Sequence, residues 1–401
     1  MKPIGRLMKT FVGLCVLLST AGCWNARELN ELSVALAMGI DKDGDGQYIV
    51  SFQSVDPTQM SYRKTVERSP TILYSEKAST IFEAIRKMST KVSRRIYVAH
   101  LRLIVFSEEV ARDGLKAPLD LLFRDHEVRP DFFITIVRGK HKARDVMGFV
   151  APTEVLPAMD MYKSLKVSEA AWAPTVAVNV KDFLEMLVKE GQDPILTGMT
   201  FIGDLKKGLR KSNVAQPLSI AEYKYMGIGV MEQDRLVGWL NEDESKVYNY
   251  ITNNITSTIG KVKCPHGEHE IALEITHAHV KMVPSIKDDK PSMKLKVTID
   301  ANVGEAGCNI DLSKEATLVE LQEAGKEVVR KLFTGSIRKV QKYGPDIFGF
   351  GEAFHRKYPS TWHKWKDTWQ ERFKTMPVEI ETDYHIRYIG RIIDPFGPEK
   401  E

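Results

Sequence analysis

Over residues 32–40 the side chains Val34, Leu36, Met38 and Ile40 alternate with their neighbours, and 48–55 is again strand-like, so the first folded element is predicted to be a β-hairpin. Helical spacing follows at Ile81, Ile85, Met88 and Val92. The apolar runs 101–106 and 132–137 read as buried strands, 108–124 and 143–149 as helices, and 196–202 as one more strand. Strand and helix alternating in this way predict a mixed α/β first part. Beyond residue 217 come a hairpin at 225–237 turning on Glu232, Gln233 and Asp234, and a helix that Asn241 should cap. Strands at 271–283 and 293–303 precede a long helix capped by Ser313 with Leu321, Ala324, Val328 and Leu332 on one face. A stripe of Trp362, Trp365, Trp369 and Phe373 and a closing strand at 378–388 complete an α+β second part, with a mostly antiparallel sheet and long amphipathic helices. The class is α+β, and the expected divisions are 1–22, a first part 23–192 of one or two subdomains, a border at 193–222 and a second part 223–395.

With 401 residues, 43% hydrophobic and 27% charged, the chain has the composition of a globular protein. The formal charge of +4 sits largely at the start, where Lys2, Arg6 and Lys9 face no acid within residues 1–22. A near-neutral remainder excludes a nucleic-acid protein, whose footprint is a strongly basic domain or stripe.

Those three cations precede an apolar run at 11–18 and then Ser19, Thr20, Ala21, Gly22 and Cys23. This reads as a signal peptide, too short to span a bilayer, ending in a lipobox-like motif with Thr20 where leucine is usual. Cys23 is therefore the expected lipidation site, and two acyl chains on it would hold the mature chain at a membrane. Of the other cysteines, Cys15 lies in the signal, while Cys264 and Cys308 can pair or remain independent thiols; sequence separation decides neither.

Tests for catalytic or ligand motifs return nothing. Gly203 to Gly208 is followed by Leu209 and Arg210 where a phosphate loop requires Lys then Ser or Thr, and the pair Gly227 and Gly229 lacks its third glycine at Glu232. Asp41, Asp43 and Asp45 open like a calcium loop whose twelfth position is Phe52, not glutamate. Cys264, His266, Glu268, His269, His277 and His279 match no standard zinc spacing, and Pro265 and Gly267 mark an exposed turn, so no metal and no cofactor is expected. The tryptophan stripe reads as a core face. Arg124, Asp125, His126, Glu127 and Arg129 crowd before a strand, a pattern of surface ion pairing and a candidate patch for partner contact.

Several segments, taken in order, resemble the Ger(x)C family of spore germination lipoproteins. They are Cys23 to Glu28, Gly39-Ile40-Asp41, Tyr97 with His100 and Leu101, the run from Arg124 to Arg129, Leu236-Val237-Gly238-Trp239-Leu240-Asn241, and Asp346-Ile347-Phe348-Gly349-Phe350-Gly351 followed by Trp365 and Trp369. The family more often has proline where His126 stands. The resemblance implies a non-enzymatic C subunit of a nutrient germinant receptor. It would be tethered to the outer face of the spore inner membrane and work beside membrane-embedded A and B subunits, with Trp239 joining Arg124, Asp125, Glu127 and Arg129 among the candidate contacts. A solute-binding lipoprotein of an importer is the alternative, and it predicts two similar lobes where this chain has dissimilar halves.

Overall fold

A computed structural model describes residues 5, 28, 31–56, 69–124, 127–265 and 269–390. Its centre is the strand β1 (Leu32–Lys42), where all but two residues are buried, as a strand covered on both faces must be. Beside it run β2 (Tyr48–Val55), β3 (Thr71–Ala78), β4 (Arg95–Tyr97), β5 (Leu103–Ser107), β6 (Phe133–Val137), β7 (Ile195–Gly203), β8 (Ala221–Glu232) and β9 (Arg235–Trp239). The sheet order is β3-β2-β1-β5-β6-β7-β8-β9, with the short β4 added in parallel to the start of β1. Strands β1, β5, β6 and β7 are parallel, and antiparallel pairs close both ends. The hairpin β8–β9, expected to open the second part, instead completes this first sheet, and the expected border contributes β7.

Helices α1 (Ile81–Lys87), α2 (Glu108–Asp113) and α3 (Lys116–Arg124) pack on one face. On the other lie α4 (Ala143–Gly148), α5 (Pro157–Ala171) and the short α7 (Leu205–Gly208), around a separate core of Leu36, Val105, Phe149, Met161 and Phe201. Between α5 and β7 runs α6 (Val180–Val188), capped reciprocally by Asn179 and Asp182. The sequence pattern missed α5 and α6.

Asp41 explains the calcium-like turn. Its buried carboxylate accepts the N–H groups of Ala143 at 2.7 Å and Arg144 at 2.9 Å, at the start of α4. Asp43 turns inward on the N–H groups of Asp45 and Gln47.

The second sheet has the order β10 (Thr258–Lys263), β11 (Glu270–Lys287), β12 (Lys290–Ala306), β13 (Val378–Tyr388); only the β12–β13 pair is parallel. Asn241 caps α8 (Glu242–Ile251) in a reciprocal box with Glu244, as the sequence indicates. Against the second sheet lies α9 (Glu315–Tyr343). Ser313 does not cap it; the flanking residue is Lys314, and the Ser313 hydroxyl donates to Asp311. The buried stripe of α9 includes Leu321, Gly325, Val329, Phe333, Ile337 and Val340; of the expected face, Leu321 is buried and Ala324 and Leu332 pack half-buried against the core, while Val328 turns outward, because burying Phe333 and Ile337 removes more apolar surface than burying Val328. Val328 is 40% exposed. Cys264, at the end of β10, is joined by a disulfide to Cys308, just beyond β12, with the Cα atoms 6.5 Å apart.

Candidate functional site

Among the described residues, an elaborate polar construction lies where the chain's two sheets are coupled. The loop 189–194, leading into β7, meets the segment Asp346 to Gly351 that follows α9. Asp346 is buried, and its carboxylate accepts four donors: the N–H groups of Gly349 at 3.1 Å, Phe350 at 3.2 Å and Gly351 at 2.7 Å, and the Trp369 indole at 3.0 Å. These amides lead into α10 (Phe350–Lys357), so the side chain gathers the donors that a helix start leaves unpaired. Burial pushes the Asp346 carboxyl up to about 7, with the N–H donors pulling the other way.

Asp193 answers from the first part. Its carboxylate accepts the Asp346 N–H at 2.9 Å and the Gln233 N–H at 3.4 Å, and burial raises its pKa. Next to it Gly191 lies against Gly351. A methyl group on Gly191 would stand 2.5 Å from the Gly351 carbonyl carbon, and the backbone there has φ +79°. Only glycine combines that left-handed conformation with so close an approach. The Glu352 N–H donates to the Gly191 carbonyl at 3.1 Å, tying the two loops directly.

The tryptophan stripe completes the joint. It divides into α11 (Pro359–Trp365) and α12 (Trp369–Thr375), with all three rings buried as expected. Each indole N–H donates to a carboxylate from a different region: Trp362 to Glu190 at 2.9 Å, Trp365 to Asp289 at 3.1 Å, Trp369 to Asp346. A buried Trp needs such a partner for its one polar atom. The helices thereby fasten the loop before β7, the tip of the β11–β12 hairpin and the Asp346 turn to one another. Beside them opens a polar cleft of about 660 Å³ lined by Glu190, Asp193, Glu232, Asp346, Lys366 and neighbours. The buried carboxylates of Asp193 and Asp346 there accept hydrogen bonds from backbone and indole N–H groups and so position chain segments.

The other candidate residues are dispersed. Arg124 pairs with Asp120 at 2.7 Å within α3, whereas Glu127 pairs with Arg95 at 2.6 Å across the sheet edge. Arg129 is exposed, and Asp125 and His126 lie outside the described residues. Of the described members, Arg124 and Glu127 thus turn to different neighbours, and Glu127 borders a cleft of about 330 Å³ between α1 and α3. Trp239 is half-buried with the Arg138 guanidinium 4.4 Å from its ring, and its carbonyl accepts the Tyr343 hydroxyl. Cys23 and His266 are outside the described residues, as is Glu268. Among the described residues no group of three or more His, Cys, Asp and Glu could hold a metal ion, and no helix is long and apolar enough to cross a membrane.

Sequence reasoning singled out Asp346 to Gly351 without seeing its partner. Asp193, Gly191 and Glu190 were missed; the only local signal was a Glu-Gly-Gln-Asp turn ahead of a strand.

Residues 25–201 match the family model "Spore germination protein N-terminal domain", and residues 226–390 match "Spore germination B3/ GerAC like, C-terminal". Spore germination protein KC of Bacillus subtilis (strain 168) is 31% identical over 392 residues, covering 95% of this chain and 96% of its own. Spore germination protein B3 of the same organism is 22% identical and covers 94% and 96%. The crystal structure of the GerBC protein superposes with a TM-score of 0.57 at 19% identity, over 87% of this chain and 96% of that one, which shows the fold. Two family models in the expected order, and a relative aligned from end to end, make the chain a member of the Ger(x)C, or GerAC-like, family of spore germination proteins.

Proposed function

We propose that this chain is the lipoprotein C subunit of a nutrient germinant receptor, required for spore germination. It is held by acylated Cys23 on the outer face of the spore inner membrane, with membrane-embedded A and B subunits as partners. The observation that carries the reading is the joint at Asp193 and Asp346. It ties residues of both family regions together by hydrogen bonds, as suits a subunit that transmits or supports an assembly and not one that turns over a substrate. The carboxylates there are committed to N–H donors, which speaks for a non-catalytic role.

The importer alternative finds less support. A solute-binding protein closes two similar lobes on its ligand, whereas here a nine-stranded mixed sheet stands against a four-stranded one, and the joint between them is tied by backbone hydrogen bonds. Fractionation of spores tests the tether: the wild-type chain should sediment with the inner membrane and carry a diacylglyceryl group on Cys23 by mass spectrometry, and Cys23→Ala should release it. A Cys23→Ala chain that stays fully membrane-bound without its A and B subunits would contradict the reading.

A further inference from the structure

Strands β7 and β8 are antiparallel neighbours, which two residues can join. This chain spends residues 204–220 on the connection. The excursion is not slack. Asn213 is buried at its middle, its amide donating to the carbonyls of Val150 and Ala221 at 3.0 Å each while its oxygen accepts the Ala221 N–H at 2.8 Å. Asp204 caps α7 by accepting the Lys207 N–H. Long connections anchored this way carry function more often than they carry stability.

What the excursion displays is cationic and apolar together. Lys206, Lys207, Arg210 and Lys211 stand against the single acid Asp204, with Leu209 38% and Leu218 76% exposed. Leu209 continues an apolar surface. With Leu73 of β3, Met147, Pro152 and the 61% exposed Val155 it lines a cleft of about 530 Å³ that Lys211 borders. The Leu209 and Leu73 methyls lie 3.4 Å from one point beside Gly148, so the two elements meet.

The position of this face matters as much as its chemistry. Leu73 pairs with Gln53 of β2, next to Ser54, which pairs with Ala35 near the start of β1. Through Gln53, Leu73 aligns with Ala37, so it lies two strands across and five residues along β1 from the entry of the chain at Leu32, roughly 20 Å away. From Leu32 back to Cys23 the chain can extend over at most about 30 Å. A bilayer holding the Cys23 lipid is thus within reach of the face.

We propose that this cationic, apolar face rests on the anionic headgroups of the bilayer that carries the Cys23 lipid, giving the tethered chain one fixed orientation. The inference rests on the tether reading above. Each cation near an anionic leaflet contributes about 1 kcal/mol, and exposed leucines add to it by entering the headgroup boundary. An acidic partner segment is the rival occupant, but the tether brings lipid within reach of this face, and no comparable feature brings a particular protein to it.

Vesicle co-sedimentation of the full mature chain carrying Cys23→Ser, and so unacylated, tests the face apart from the tether. With vesicles of equal phosphatidylglycerol and phosphatidylcholine, Lys206→Gln with Arg210→Gln should weaken binding roughly thirtyfold. Pure phosphatidylcholine vesicles should bind little, and Lys326→Gln with Arg330→Gln, which removes a half-buried and an exposed cation from α9, should change binding less than twofold. Equal binding by the wild type and the Lys206 and Arg210 variant would overturn the proposal, as would an equal loss in the α9 control. So would no vesicle binding at all in a protein whose Lys206 and Arg210 variant fails to germinate, which would give the face to a protein partner. An unmodified Cys23 in the native spore would sink the tether, and this orientation with it, while the vesicle titration still reported on the face alone.

Discussion

Asp193 and Asp346 hold each other's backbone: the Asp193 N–H donates to the Asp346 carbonyl at 2.8 Å, and the Asp346 N–H donates to the Asp193 carboxylate at 2.9 Å. Two acids 153 positions apart thus form a closed exchange of hydrogen bonds between the first sheet and the helices under the second. Neither could leave without stranding the other's buried groups.

Removing the centre of this exchange should be costly. Asp346→Ala leaves three amides and the Trp369 indole without their acceptor, and buried donors left unmatched cost about 1–3 kcal/mol each before relaxation. A loss of about 4 kcal/mol in urea unfolding is expected; a loss under 1 kcal/mol would mean that water replaces the carboxylate freely.

The same residue gives the stability a pH dependence. Burial lifts Asp346 to about 7, against roughly 3.9 in an unfolded chain. Between those values the native state keeps a proton that the unfolded state has released. The contribution of this group is therefore full below about pH 4, declines as pH rises, and levels off above 7. Asp346→Asn should flatten the slope of unfolding free energy between pH 4.5 and 7.5 relative to the wild type. Parallel slopes would contradict the assignment.

Gly191→Ala should separate the two parts. The added methyl meets backbone at 2.5 Å and must also adopt a positive φ, so a cost of about 3 kcal/mol or more is expected. Limited proteolysis should then cut near residues 189–194 where the wild type resists.

The disulfide should matter more to stability than to assembly. Cys264 and Cys308 close a loop of 44 residues, for which a bridge contributes about 2–4 kcal/mol. Cys264→Ala with Cys308→Ala should lower the melting temperature while leaving membrane sedimentation unchanged. An identical melting temperature with and without reductant would argue against the bond.

Much of the fold was legible because its signals are local. Alternation gave β1 and β2, Asn241 announced α8 by a capping box, and the tryptophan spacing announced a buried face. What escaped depends on contacts distant in sequence. The hairpin β8–β9 looks the same in sequence whichever sheet it joins, and only hydrogen bonding to β7 assigns it to the first. On α9 only Val328 was misjudged, because Val328 and Val329 offer the pattern equal hydrophobicity, and the choice falls to Phe333 and Ile337. At the joint, Asp346 stood out within its glycine-rich motif, but Asp193 carries no sign of its burial until the chain has folded. Arg124 and Glu127 show the reverse: charges close in sequence turn to separate partners in space.

The most direct test is nutrient-triggered dipicolinate release from spores of the source organism, comparing wild type, a deletion of this chain and Cys23→Ala. The account predicts that deletion abolishes release for at least one nutrient, and that Cys23→Ala impairs it while the protein leaves the membrane fraction. Equal release from all three strains with every nutrient that triggers the wild type would contradict it.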